Sequence, residues 1–153
     1  MEAVAFRLAR RDDLPAIVAL LADDPLGRER ETAGAALHPS YVEAYLAIER
    51  DSNQLLAVAE SEGRIVGCLQ LSFIPGLTRQ GMRRGQIEGV RVAASERGGG
   101  IGQAMLRWAI EECRKRGCGL VQLTSDERRP DAHRFYEALG FRATHRGYKL
   151  ALA

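Results

Sequence analysis

Residues 88–106, EGVRVAASERGGGIGQAML, constrain what this chain can become more than any other stretch. The stretch follows on from a strand pattern, with Ile87, Val90 and Val92 as its β-branched residues, and ends as an amphipathic helix. Between the two lies a loop holding Gly98, Gly99, Gly100 and Gly102. Reversing the chain does not need so many glycines in one short loop. Keeping the backbone bare of Cβ atoms where a helix begins does need them. Such a loop leaves the first N–H groups of the helix pointing outward at the positive end of its dipole, a nest suited to a pyrophosphate. Arg97 at the entrance adds a fixed charge and a planar donor fork.

Two familiar glycine loops fail here. A P-loop ends in Gly-Lys-Ser/Thr, whereas Gly100 is followed by Ile101, Gly102 and Gln103. A dinucleotide fingerprint read from Gly100 meets Met105 where helix packing wants a small residue, and it follows an antiparallel-looking hairpin.

The surrounding pattern predicts the frame. Residues 4–8 read as a first strand, and Leu14, Ile17, Val18 and Leu21 recur at helical spacing until Asp23-Asp24-Pro25 stops them. A second helix is expected from Pro39 or Ser40, with Tyr41, Tyr45 and Ile48 on one face. Residues 54–60 and 65–73 are apolar runs joined by Ser61-Glu62-Gly63-Arg64, which predicts an antiparallel hairpin. Residues 86–92 form the next strand, and Gly89 inside it marks a place for a bulge. The helix after the glycine loop places Ile101, Met105, Trp108, Ala109 and Cys113 on one face. Residues 120–124 then read as a strand reached by a parallel crossover. Pro130 opens a last helix bearing Ala132, Phe135, Tyr136 and Leu139, and Gly140 closes it. Residues 142–152 are expected to return as a final strand. The order is β-α-α-β-β-β-α-β-α-β, an α/β chain with a single mixed, mostly antiparallel sheet flanked by helices.

Length bounds this to one domain over residues 1–153, large enough for its own core. A formal net charge of +2 gives no case for nucleic acid, and the arginines Arg79, Arg83, Arg84 and Arg91 lack interleaved aromatics that could stack bases. Cys68, Cys113 and Cys118 are an odd set without a disulfide framework, and Cys68 and Cys113 read as small core residues. His38, His133 and His145 lack metal-ligand spacing, so no metal is expected. Without an apolar leader or a long apolar run, the expected location is the cytoplasm, away from membranes.

Two motifs carry a resemblance. Arg97-Gly98-Gly99-Gly100-Ile101-Gly102 is similar to the Gln/Arg-x-x-Gly-x-Gly/Ala loop of the GNAT family of acyl-CoA-dependent N-acyltransferases. Downstream, Ala132-His133-Arg134-Phe135-Tyr136-Glu137-Ala138-Leu139-Gly140-Phe141 resembles that family's A-x-x-F-Y-x-x-x-G-F ending. The element order extends the resemblance over nearly the whole chain. It implies an N-acetyltransferase that moves the acetyl group of acetyl-CoA, a co-substrate, to a primary amine by direct aminolysis of the thioester. It further implies that the nest from Arg97 to Gly102 holds the pyrophosphate. The pantetheine arm then lies as an added strand beside Val90, Arg91 and Val92, through backbone groups.

The same resemblance makes Tyr136 the acid that protonates the departing sulfur. Glu88 is the candidate base: strict alternation puts it on one face with Val90 and Val92, where desolvation would raise its pKa. The alternative for Glu88 is an ion pair with an arginine such as Arg84. Where the family often carries an asparagine contacting the arm, this chain has Arg129, with Ser125 upstream. Both are candidate cofactor contacts. Asp23, Asp24, Glu29 and Glu31, with Tyr41 and Tyr45, lie where such folds select their acceptor. Acidic residues there would draw a cationic amine, but Arg28 and Arg30 interleave, and the preferred reading is an ordinary solvated loop of mixed charge. The acceptor is a small-molecule or peptide amine, among which the residues do not choose. Dimerisation is common among similar folds, although no stretch establishes it. The competing reading is a non-catalytic acyl-CoA sensor on the same fold.

Overall fold

A computed structural model describes residues 3–34 and 36–153. Five strands form one sheet in sequence order: β1 (Ala5–Leu8), β2 (Gln54–Ser61), β3 (Arg64–Ile74), β4 (Arg84–Val92) and β5 (Leu120–Leu123). The first four are mutually antiparallel, and β5 joins β4 in parallel. Glu62 and Gly63 turn the β2–β3 hairpin at φ 51° and 73°. Between β1 and β2 lie α1 (Leu14–Ala22), the single turn α2 (Gly27–Arg30) and α3 (Pro39–Arg50). A one-turn segment, α4 (Thr78–Gly81), links β3 to β4, while α5 (Ile101–Lys115) and α6 (Pro130–Ala138) flank β5.

Side-chain alternation splits the interior into two layers. On one face of the sheet, Leu55, Ala57, Leu69, Leu71, Phe73 and Ile87 pack with Met105, Leu106 and Ala109 of α5. On the other, Val58 and Cys68 pack with Leu14, Ile17 and Leu20 of α1 and Tyr45 of α3. The apolar stripe read from the α5 sequence is therefore the one that is buried. Gly85 is required by the first layer, because a Cβ there would lie 2.3 Å from the Cys113 sulfur.

The expected final strand is not formed. Residues 142–153 run without strand or helix, and Tyr148, Leu150 and Leu152 are 89%, 86% and 95% exposed. Alternating residues describe a strand only when a partner edge supplies hydrogen bonds, and the four-residue β5 takes none from this segment.

Candidate active site

The site begins with a break in β4. Cys68 of β3 pairs with Arg91 and Gln70 pairs with Glu88, so Gly89 and Val90 together oppose a single residue. Gly89 takes φ 62°, the left-handed geometry a bulge of this kind asks of a glycine. The bulge coincides with a parting of strands. Pairing of β4 with β5 runs from Arg84↔Leu120 to Ile87↔Leu123 and ends there, leaving Val90–Val92 with an open edge on that side.

The bulge also corrects an expectation. With one extra residue in the strand, alternation slips, and Glu88 does not share a face with Val90 and Val92. Val90 and Val92 pack on the α5 layer. Glu88 stands on the opposite face, exposed, where its Oε1 accepts a hydrogen bond from Gln86 Nε2 at 2.5 Å. It is neither desolvated nor paired with Arg84.

The glycine loop lies at the open edge. Gly98 and Gly100 both adopt φ 85°, and a Cβ built on either would meet nothing within 4 Å. Gly100 is the N-cap of α5, no side chain caps this helix, and Ala104 makes the first backbone bond, to the Gly100 carbonyl at 3.0 Å. The N–H groups of Ile101, Gly102 and Gln103 thus precede the helical ladder and remain free for a ligand. Gly102 differs, since a Cβ built there would meet Phe135 at 3.4 Å and Val92 at 3.5 Å. Arg97 folds back, its Nε donating to the Val92 carbonyl at 3.3 Å and its Nη2 to the Asp23 carbonyl at 3.5 Å. The backbone of the loop from Gly98 to Gly100 is exposed.

Across the opening, α6 presents Tyr136 between Phe135 and Phe141, with ring centroids 5.3 and 6.0 Å away. Burial pushes the phenol pKa up, against the pull of Arg91 and Arg129, so the group holds its proton. Tyr136 lines an open cavity of about 1040 Å³ that also touches Arg84, Gln86, Gln122 and Ser125.

Arg129 and Asp24 form a contact that sequence reasoning missed. Arg129 Nη1 and Nη2 donate to the two Asp24 carboxylate oxygens at 2.6 and 2.7 Å, and Arg91 Nη2 stands 3.7 Å from the same carboxylate. The Gly27 N–H completes the set at 2.9 Å. Arg129 first, then the Gly27 amide and Arg91, hold the Asp24 carboxyl down at about 2, against desolvation. The α1 end, β4 and the α6 start are thereby fixed around the opening. Asp24 is 8% exposed and Tyr45 is 9% exposed, so neither lines a rim that could draw an acceptor. Glu31 accepts from the Tyr41 hydroxyl at 3.1 Å.

Cys68 and Cys113 are buried packing. Burial pushes the Cys68 and Cys113 thiols up to about 12, far from a thiolate. Among the described residues, no group of three or more His, Cys, Asp or Glu could hold a metal ion, and no helix is long and apolar enough to cross a membrane.

A mixed sheet that parts at a β-bulge, with an uncapped, glycine-lined helix start in the opening, defines the N-acyltransferase fold class. The Acetyltransferase (GNAT) family model matches residues 14–141. A glucosamine 6-phosphate N-acetyltransferase of Trypanosoma brucei brucei is 44% identical over 90 residues, 59% of each chain. An aminoalkylphosphonate N-acetyltransferase of Salmonella typhimurium (strain LT2) is 31% identical over 115 residues, 75% of this chain and 74% of that protein. The solved structure of a transcriptional regulator from Bacillus halodurans C-125 superposes with a TM-score of 0.95 at 50% identity, covering 98% of this chain and 100% of the other. The chain belongs to the GNAT family of acetyltransferases.

Proposed function

We propose that this protein transfers the acetyl group of acetyl-CoA to the primary amine of a small acceptor that also carries a phosphate or phosphonate group. The observation behind the transfer is the parting of β4 and β5 at the Gly89 bulge, directly beside the bare α5 N-terminus. The observation behind the acceptor is that both enzymatic relatives are named for amines bearing a phosphorus-centred anion. Residues 1–153 then act as one domain.

Acetyl-CoA supplies an acyl group already activated as a thioester. The amides from Gly98 to Gly102, with Arg97, bind its pyrophosphate. The open edge at Val90, Arg91 and Val92 receives the extended arm as an added strand. Ser125 borders the cavity that the thioester end would enter. Arg129 acts from behind, holding Asp24 rather than the arm. Tyr136 keeps a proton at its hydroxyl for the departing sulfur, and Glu88 takes the ammonium proton of the acceptor through solvent. The neutral amine then attacks the thioester directly.

Thiol release from acetyl-CoA, followed with glucosamine 6-phosphate, 2-aminoethylphosphonate, an aminoglycoside and a peptide, tests this reading. Phosphorus-bearing amines should turn over best. One observation favours a second reading, a non-catalytic acyl-CoA sensor: the 50% identical structure is that of a transcriptional regulator. Turnover with any amine excludes a pure sensor; acetyl-CoA binding without turnover across the panel supports it.

A further inference from the structure

On the face of the sheet away from α5, the half near β5 is not apolar. Arg84, Gln86 and Glu88 of β4 project there beside Ser72 and Gln70 of β3, Gln54 of β2 and Gln122 of β5, as the pairing register requires. Their side chains form a hydrogen-bonded row. Gln122 Nε2 donates to Gln86 Oε1 at 2.9 Å, and Gln86 in turn donates to Glu88. Gln70 Nε2 and Ser72 Oγ both donate to Gln54 Oε1, at 3.1 and 2.8 Å. A sheet face covered by core would not carry this row. Oriented amides at the edge of a cavity suit the hydroxyl groups of a polyol.

At the far end of the row stands an uncompensated charge. The Nε of Arg84 is buried without a hydrogen-bond partner, and among the described residues its guanidinium makes no ion pair. The Nε atoms of Arg83 and Arg91 are likewise unpartnered, but their terminal nitrogens are engaged. Arg83 reaches Asn53 and the Arg116 carbonyl, and Arg91 reaches Asp24. An anion entering the cavity would find this guanidinium without a competing carboxylate. Arg79 lines the same cavity from α4, where Arg79 and Gln80 hold left-handed dihedrals (φ 55° and 61°) that non-glycine residues seldom adopt. Strain of this sort persists where the surrounding structure demands a particular side-chain placement. Arg142 and Arg146 add positive charge to the cavity wall, and Glu127 and Glu137 add negative charge.

We infer that Arg84, seconded by Arg79, is the specificity-determining site for the anionic group of the acceptor, and that the Gln86–Gln122 amides form the floor beneath a sugar ring lying between that anion and its amine near Glu88. This inference rests on the acetyltransferase reading above. Arg84 and Glu88 are four residues apart on one strand face, roughly 14 Å between Cα atoms. A hexosamine phosphate, with amine and phosphate on opposite sides of its ring, bridges that span after both side chains reach inward. An aminoalkylphosphonate, with its two groups nearly adjacent, does not. The shared chemistry is a tetrahedral dianion, and acceptor length separates its two sources.

The test is steady-state kinetics at saturating acetyl-CoA with three acceptors: glucosamine 6-phosphate, glucosamine and 2-aminoethylphosphonate. The wild type should prefer glucosamine 6-phosphate to both others. Arg84→Met should raise its KM about 10- to 100-fold, with kcat and acetyl-CoA affinity little changed and kcat/KM for glucosamine unaltered. Arg79→Ala, at an exposed position, should give a smaller rise in the same direction, and Arg84→Lys should recover part of the loss. Equal losses on glucosamine and its 6-phosphate overturn the assignment, as does a preference for 2-aminoethylphosphonate. Brisk turnover of neutral amines without any preference for the phosphate sinks the inference while leaving the acetyltransferase reading intact. Absence of turnover on every amine overturns both.

Discussion

The two halves of β4, before and after Gly89, are built for different partners. Before the bulge, Arg84 to Ile87 pair with β5, and the outward side chains are Arg84 and Gln86, which line an open cavity, and Glu88, exposed beside them. After it, Val90 and Val92 turn into the α5 layer and the β5-side edge lies open beside the glycine loop. The first half addresses a ligand with side chains, the second with backbone. Side-chain recognition can change with each acceptor, whereas backbone recognition needs only a gap and a bare helix start. One left-handed glycine therefore lets a single strand combine a specific site with a generic one.

Changes on the backbone side should have the largest effects. Gly100→Val places a branched Cβ at φ 85°, where the loop must meet phosphate, and is expected to abolish acetyl-CoA binding while the protein still melts cooperatively. Calorimetry on that variant checks it, and normal affinity would remove the nest from the account. Tyr136→Phe should follow, lowering kcat about a hundredfold with acetyl-CoA affinity nearly unchanged; unaltered turnover would return Tyr136 to an aromatic packing role.

The clamp that holds the halves in place comes next. Because the Asp24 carboxyl sits at about 2 in the folded state, below its ordinary value of 3.8, its contribution is present above that ordinary value. It is lost as pH falls toward 2 and amounts to about 2 kcal/mol. Asp24→Asn should remove a similar amount at neutral pH and flatten the acid limb of a urea-stability profile. Gly89→Ala forces an L side chain to φ 62° and should cost about 1 kcal/mol, with a loss of activity larger than that destabilisation explains. Intact kinetics in this variant would break the comparison at its centre. Last, Glu88→Gln should shift the acid limb of the pH–rate profile, and an unchanged profile would leave Glu88 a floor residue only.

What could be read from the chain, and what could not, follows from the range of each interaction. Helical stripes, the hairpin and the glycine loop are local, so Ile101, Met105 and Ala109 or Gly98 to Gly102 announce themselves within a few residues. Gly89 advertised a bulge, yet the consequence for Glu88 escaped, because one inserted residue reverses every face assignment beyond it. Asp24 and Arg129 lie 105 positions apart, and nothing local marks either as the other's partner. The final strand was misread from alternation alone, which cannot show whether an edge is within reach. The polar row did leave a signal: Gln54, Gln70, Ser72, Gln86 and Gln122 interrupt strands that are otherwise apolar.

The central claim is that the α5 N-terminus binds acetyl-CoA through its backbone, and calorimetric titration with acetyl-CoA, with NAD and ATP run as controls, tests it most directly. Saturable binding of acetyl-CoA alone is the predicted result. No heat from acetyl-CoA in a cooperatively folded sample, or equal binding of all three nucleotides, would contradict it.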